Sequence, residues 1–219
     1  MDMAAFQLLR LASPALPIGA YSYSQGMESA IEHEVVRDSA TARVWIADQL
    51  NGPVGRWEAP LLWHSLLAAE QENWMQLDAL NQRWLASRET RELRAETEQT
   101  GYSLIQLLKA LDGGELPLAG PVGLLAAWAL AARHWHIYPQ AALQAYLWSW
   151  QENQVMVLMK ALPMGQVAGQ KLLGELLPEL EAATQLAQSL PEDELSGFAP
   201  ALAWLSARHE IQYSRLFRS

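Results

Sequence analysis

The 219-residue chain is 51% hydrophobic and carries a formal net charge of −9, from 15 Lys and Arg against 24 Asp and Glu. At roughly 150 residues per domain the length fits one domain, 1–219, and the acidic balance excludes a general nucleic-acid binder, which needs a dense basic face. The chain has no cysteine, which excludes a disulfide scaffold, a thiolate metal site and a cysteine nucleophile, and fits a reducing, cytoplasmic setting.

In chain order, Met1–Ala12 places Asp2 and Arg10 where an export signal needs early positive charge and then unbroken apolar residues, so it is not read as one. Ser13–Ala30, SPALPIGAYSYSQGMESA, is not generic helical surface. Pro14 and Pro17 hold the chain extended, Gly19 permits a turn, and Tyr21, Ser22, Tyr23 and Ser24 crowd hydroxyls before a helix. Further on, apolar residues recur at three- and four-residue steps: Trp74, Leu77, Leu80 and Trp84 in Glu72–Ala86, then Leu93, Leu104, Leu107 and Leu111 in Arg88–Leu111, which Gly113 and Gly114 should stop. The uncharged run Leu116–Ala132 is interrupted by Pro and Gly and is short of the about 20 apolar residues of a membrane span, so it predicts a turn followed by a buried core helix. Pro139–Leu162 predicts a long helix, Gln166–Leu177 and Pro178–Leu190 two short ones, and Pro200–Tyr213 a last one with Leu202, Leu205 and His209 on one side. Period-two alternation is missing, so the fold reading is all-α, a bundle of roughly nine or ten helices.

The composition holds 10 Trp against 3 Phe. Trp74, Trp84, Trp128 and Trp150 lie on predicted core stripes, and so many tryptophans also raise the expectation of a subunit interface. Charge is uneven: Leu172–Ala207 has acidic residues and no Lys or Arg, whereas residues 208–219 carry Arg208, Arg215 and Arg218. Leu216 and Phe217 between arginines are odd for a free tail and suit insertion into a partner.

Catalytic patterns are near misses. In Gly165–Lys171 the second Gly comes one position early for a phosphate loop, and Leu172 replaces the hydroxyl that magnesium needs. Ser24-Gln25-Gly26 lacks the first Gly of a nucleophile elbow. His33-Glu34 and His209-Glu210 lack the second His one turn on that zinc requires, and His134 and His136 point to different faces of a helix. Glu28 and Glu32 could share a site, but oxygen ligands alone hold a transition metal weakly. The reading is no enzyme, no resident metal and no cofactor.

Three stretches together resemble the UreF family of urease accessory proteins. The SPxLPxGxxSxSxGxE pattern stands at Ser13, Pro14, Leu16, Pro17, Gly19, Ser22, Ser24, Gly26 and Glu28. An (R/K)xxPx(G/S)Q pattern stands at Lys160, Pro163, Gly165 and Gln166, and an HExxYSRL(F/Y)xS pattern at His209, Glu210, Tyr213, Ser214, Arg215, Leu216, Phe217 and Ser219. Met156–Met159 departs from the family, where many relatives carry small residues and an Arg. The resemblance implies an all-helical, dimeric scaffold for nickel delivery. It would bind UreD (UreH in some bacteria), recruit the GTPase UreG, and dock on apo-urease. By that likeness His209, Glu210, Tyr213, Ser214, Arg215, Leu216, Phe217 and Arg218, in a 208–219 tail, would meet UreD/UreH. Tyr21, Ser22, Ser24, Gln25, Glu28, Lys160 and Gln166 would form the GTPase face. Two other roles stay open: a residue such as Arg215 or Lys160 supplied in trans to the GTPase, or direct nickel binding by His or Glu side chains.

Overall fold

A computed structural model describes residues 3–112 and 117–219, except for the Asp112 side chain. Gly113, Gly114 and Leu116 of the sequence reading, and Met1 and Asp2, lie outside the described residues.

All described regular structure is helical, as the apolar spacing predicts. Helix α1 spans Met3–Leu11, and a 3₁₀ turn follows at Ala20–Ser22. Helix α2 is Met27–Glu32 and α3 is Ser39–Asn51. A capping box starts α3: the Asp38 carboxylate accepts from Thr41 N at 2.9 Å, and Thr41 Oγ1 accepts from Asp38 N at 3.0 Å. Beyond α3, Gly52 and Pro53 lead into a π-helical turn at Val54–Glu58 that runs straight into α4, Ala59–Glu70. There follow α5 (Trp74–Ala86), α6 (Arg91–Asp112), α7 (Leu124–His134), α8 (Pro139–Ala161), α9 (Gln166–Glu175), α10 (Leu177–Ser189), a 3₁₀ turn at Glu192–Glu194, and α11 (Pro200–His209).

Helices α4, α7 and α8 form the centre. Helix α4 packs on α5, α7, α8 and α10, and α6 lies along α7. Every residue of α7 from Leu125 to Ala132 is buried, which is why the uncharged run carries no polar face. Its small side chains let neighbours approach. At Gly101 of α6 the fit is backbone to backbone: a Cβ there would come within 2.1 Å of the Val122 carbonyl oxygen. Trp84, Trp128 and Trp150 are core residues as expected, and Trp128 Nε1 donates to the Ala142 carbonyl at 3.0 Å. Trp74 is only partly buried, with the Arg133 guanidinium 5.2 Å from its ring centroid. Among the described residues, no helix is long and apolar enough to cross a membrane.

Helix α11 ends at His209 rather than running to Tyr213. The residues beyond it turn back over α2, and this reversal builds the site.

Candidate functional site

Helix α2 is short, and Gly26 precedes it at φ 85, a left-handed conformation that favours glycine. There is little room for a side chain there, since a Cβ would lie 2.7 Å from Leu202 Cδ1 of α11. This close approach of α11 places the tail beside Glu28.

Glu28 is buried, and its carboxylate gathers the returning chain. Oε1 accepts the Leu216 amide at 2.6 Å, and Oε2 accepts the Phe217 amide at 3.0 Å. Oε2 also lies 3.0 Å from His209 Nε2. The other ring nitrogen, Nδ1, is 2.6 Å from Glu92 Oε2, and Glu92 Oε1 accepts from Arg215 Nη1 at 2.6 Å. His209 is fully buried between two carboxyl groups. Both ring nitrogens of His209 therefore face carboxyl oxygens at hydrogen-bonding distance, which leaves neither of them open to a further partner.

The last residues are fastened by backbone as well. Arg218 N donates to the Ser22 carbonyl at 2.9 Å, and Ser24 N donates to the Ser219 carbonyl at 2.8 Å. The Ser24 hydroxyl donates to that same carbonyl. From α8, Asn153 Nδ2 donates to the Tyr23 carbonyl at 2.9 Å and Gln154 Nε2 to the Ser24 carbonyl at 3.3 Å, fixing the loop that receives the tail. Phe217 is 6% exposed, with Lys160 Nζ 5.3 Å from its ring centroid.

Below the strap lies Glu96, also buried. It accepts from Ser219 Oγ at 3.0 Å on one oxygen and from the Gln25 amide on the other. Burial pushes its carboxyl up to about 7, although Arg88 and these two donors favour the charged form. Tyr21 donates to Glu152 at 2.9 Å, and burial followed by that hydrogen bond holds its phenol well above the usual range.

The outer surface of the strap is different. Ile211 is 71% exposed, Leu216 68%, and Tyr213 fully exposed, with Ser214, Arg215 and Arg218 exposed beside them. The result is an ordered ribbon, buried on one side and apolar at several points on the other.

A model of the UreF family matches residues 36–177, about two thirds of the chain. The chain belongs to the UreF family. It is 53% identical to the urease accessory protein UreF of Ectopseudomonas mendocina, over 98% of this chain and 99% of that one. It is 49% identical to UreF of Janthinobacterium sp., over 99% and 98%, and 50% identical to UreF of Azoarcus sp., over 97% and 94%. The family match stops short of both the Ser13–Ala30 stretch and the tail, but these relatives align across nearly the whole chain.

Two sets of UreF-motif residues, expected as separate faces, share one constellation. Ser22, Ser24, Glu28 and Lys160 each touch the strap formed by Arg215–Ser219. Gln25 joins it through Glu96, and Glu210 borders it by accepting the Glu92 amide at 3.3 Å. Gln166, at the exposed start of α9, and Tyr21, bonded to Glu152, have no such direct tie to the strap. Glu92, Glu96, Asn153 and Gln154 were missed by sequence reasoning. The spacing of Glu92 and Glu96, one turn apart beside the apolar stripe of α6, was the available signal, but it reads equally as solvated surface. Among the described residues no cluster of three His, Asp or Glu side chains is arranged to hold a metal ion.

Proposed function

We propose that this chain serves urease maturation as a non-catalytic, cytoplasmic docking scaffold, working as a homodimer. Its strapped tail binds UreD/UreH, the Tyr21 loop with Lys160 and Gln166 meets the GTPase UreG, and the assembly docks on apo-urease for nickel insertion. One observation carries the reading: Glu28 immobilises the Leu216 and Phe217 amides while Leu216, Tyr213 and Ile211 hold their side chains out to solvent. Ordered apolar anchors of this kind lose little conformational entropy when a partner covers them.

Two other roles find less support. Arg215 would have to leave Glu92 before acting on a neighbouring GTPase, and both nitrogens of His209 already face carboxyl groups. The test is co-expression with UreD, UreG and urease. Leu216→Asp, an exposed change, leaves the melting temperature unchanged and abolishes co-purification with UreD and urease activation. Tyr21→Ala keeps the UreD complex and weakens UreG recruitment. Full activation by Leu216→Asp overturns the reading.

A further inference from the structure

A second constellation borders the strap site, sharing Gln25 with it. Trp57 and Glu58 of the π-helical turn, Arg88 before α6, Trp150 of α8 and Phe198 before α11 line an open cavity of about 410 Å³. That is within the usual range for small-molecule pockets, about 300–1,000 Å³.

Arg88 is its unusual member. Its guanidinium carbon sits 4.3 Å from the Trp84 ring centroid, and its Nε is buried with no hydrogen-bond partner. Among the described residues, none forms an ion pair with it. Glu58 and Glu96 feel its charge, but burial raises both carboxyls, and Glu58 is engaged by the Tyr146 hydroxyl. Three carboxyl groups lie around it, Glu58, Glu96 and, on the cavity wall, Glu89, but none accepts a hydrogen bond from the guanidinium among the described residues, and a buried donor left unpaired is costly until a ligand oxygen accepts from it.

The walls are held firmly. Trp57 Nε1 donates to Ser87 Oγ at 3.0 Å, and the Arg83 guanidinium lies 4.9 Å from the Trp57 ring centroid. Gly197 packs on the same indole so closely that a Cβ would come within 3.1 Å of it. The Ser196 amide, donating to the Arg56 carbonyl at 3.0 Å, fixes the 196–199 loop to the π turn. Single π turns within helices recur at functional sites.

We propose that this cavity binds a small organic acid, a carboxylate on an aromatic or apolar body. The planar Arg88 fork takes the carboxylate, and the body lies along Trp57 and Trp150, with the exposed Phe198 at the rim. The proposal does not rest on the docking role, although Gln25, which reaches the strap through Glu96, also lines this cavity.

The full-length chain is titrated with benzoate, and with benzamide as its uncharged equivalent, by calorimetry. Benzoate saturates with a dissociation constant on the order of 1 mM, and benzamide binds at least about tenfold more weakly. Arg88→Met loses benzoate binding about tenfold or more, and Arg88→Lys, with charge but no fork, falls between. A capped Phe–Glu–Phe peptide checks the ligand class: no displacement of benzoate supports a free acid, and displacement at lower concentration than free benzoate itself requires assigns the cavity to a protein side chain and overturns the proposal. Crystals soaked in 4-bromobenzoate locate the ligand from bromine anomalous scattering without relying on any variant. Equal binding of benzamide, unchanged affinity in Arg88→Met, or bromine outside the Trp57–Arg88 cavity each overturns the proposal.

Discussion

Glu28 and Phe217 stand 189 positions apart in the chain, and a carboxylate-to-amide hydrogen bond of 3.0 Å joins them. With the neighbouring bond to Leu216, it makes one buried side chain the anchor of the whole terminal strap.

Replacing that anchor is expected to release the strap without unfolding the bundle. In Glu28→Gln, one carboxylate oxygen becomes an N–H₂ group facing a donor, at a cost of about 2–3 kcal/mol for charge-assisted bonds lost in a buried site. Hydrogen exchange at the Leu216 and Phe217 amides should accelerate by more than tenfold. The amides of Leu143 and Leu147, in the core, should keep their protection.

Phe217→Ala should act on the same unit. Loss of a buried phenyl ring costs about 3 kcal/mol in a core and less where a strap can lift away. Because Glu28 and Phe217 hold one segment, the double variant should be no less stable than the worse single variant by more than about 0.5 kcal/mol. Additive losses in chemical denaturation would mean that the two contacts are independent.

Glu96 gives the pH dependence a sign. Its carboxyl rises from 4.5 in the unfolded chain to about 7 in the folded one, so the native state binds more protons in between. Stability contributed by the neutral form is fully present below pH 4.5 and is lost as pH rises to about 7. The loss is on the order of 3 kcal/mol, from about 1.4 kcal/mol per pKa unit. Glu96→Gln should remove that share of the decline, so the stability difference between variant and wild type should grow in the variant's favour from pH 4.5 to 7 and then level off. A constant difference across that window would show that Glu96 does not titrate there.

Two glycines should respond in opposite directions to alanine. Gly101→Ala drives a Cβ into the Val122 carbonyl oxygen and the Gly123 backbone, which cannot move aside as a side chain tip would. A loss of about 3 kcal/mol follows, with a lowered melting temperature. Gly174→Ala, in α9, meets no atom within 4 Å and should stabilise by about 0.5–1 kcal/mol through helix propensity.

The helical class, the course of α5 to α11 and the buried nature of α7 were legible because each rests on local periodicity. A stripe at three- and four-residue steps, a Pro in the first turn or an uncharged run needs no knowledge of the rest of the chain. The helices before residue 72 were harder to read. Helix α3 buries Ala42, Trp45, Ile46, Ala47, Gln49 and Leu50, and this burial on several sides leaves no clean stripe to detect. The three motif stretches marked residues that the fold brings together, but the resemblance divided them between two partner surfaces. Only tertiary structure could join Ser22, Ser24 and Glu28 to the strap, because backbone amides donate four of those five bonds and every residue except Pro has one. The same holds for Arg88. A guanidinium in sequence is paired or unpaired only once the fold has decided which carboxyl groups are near it and how deeply they are buried.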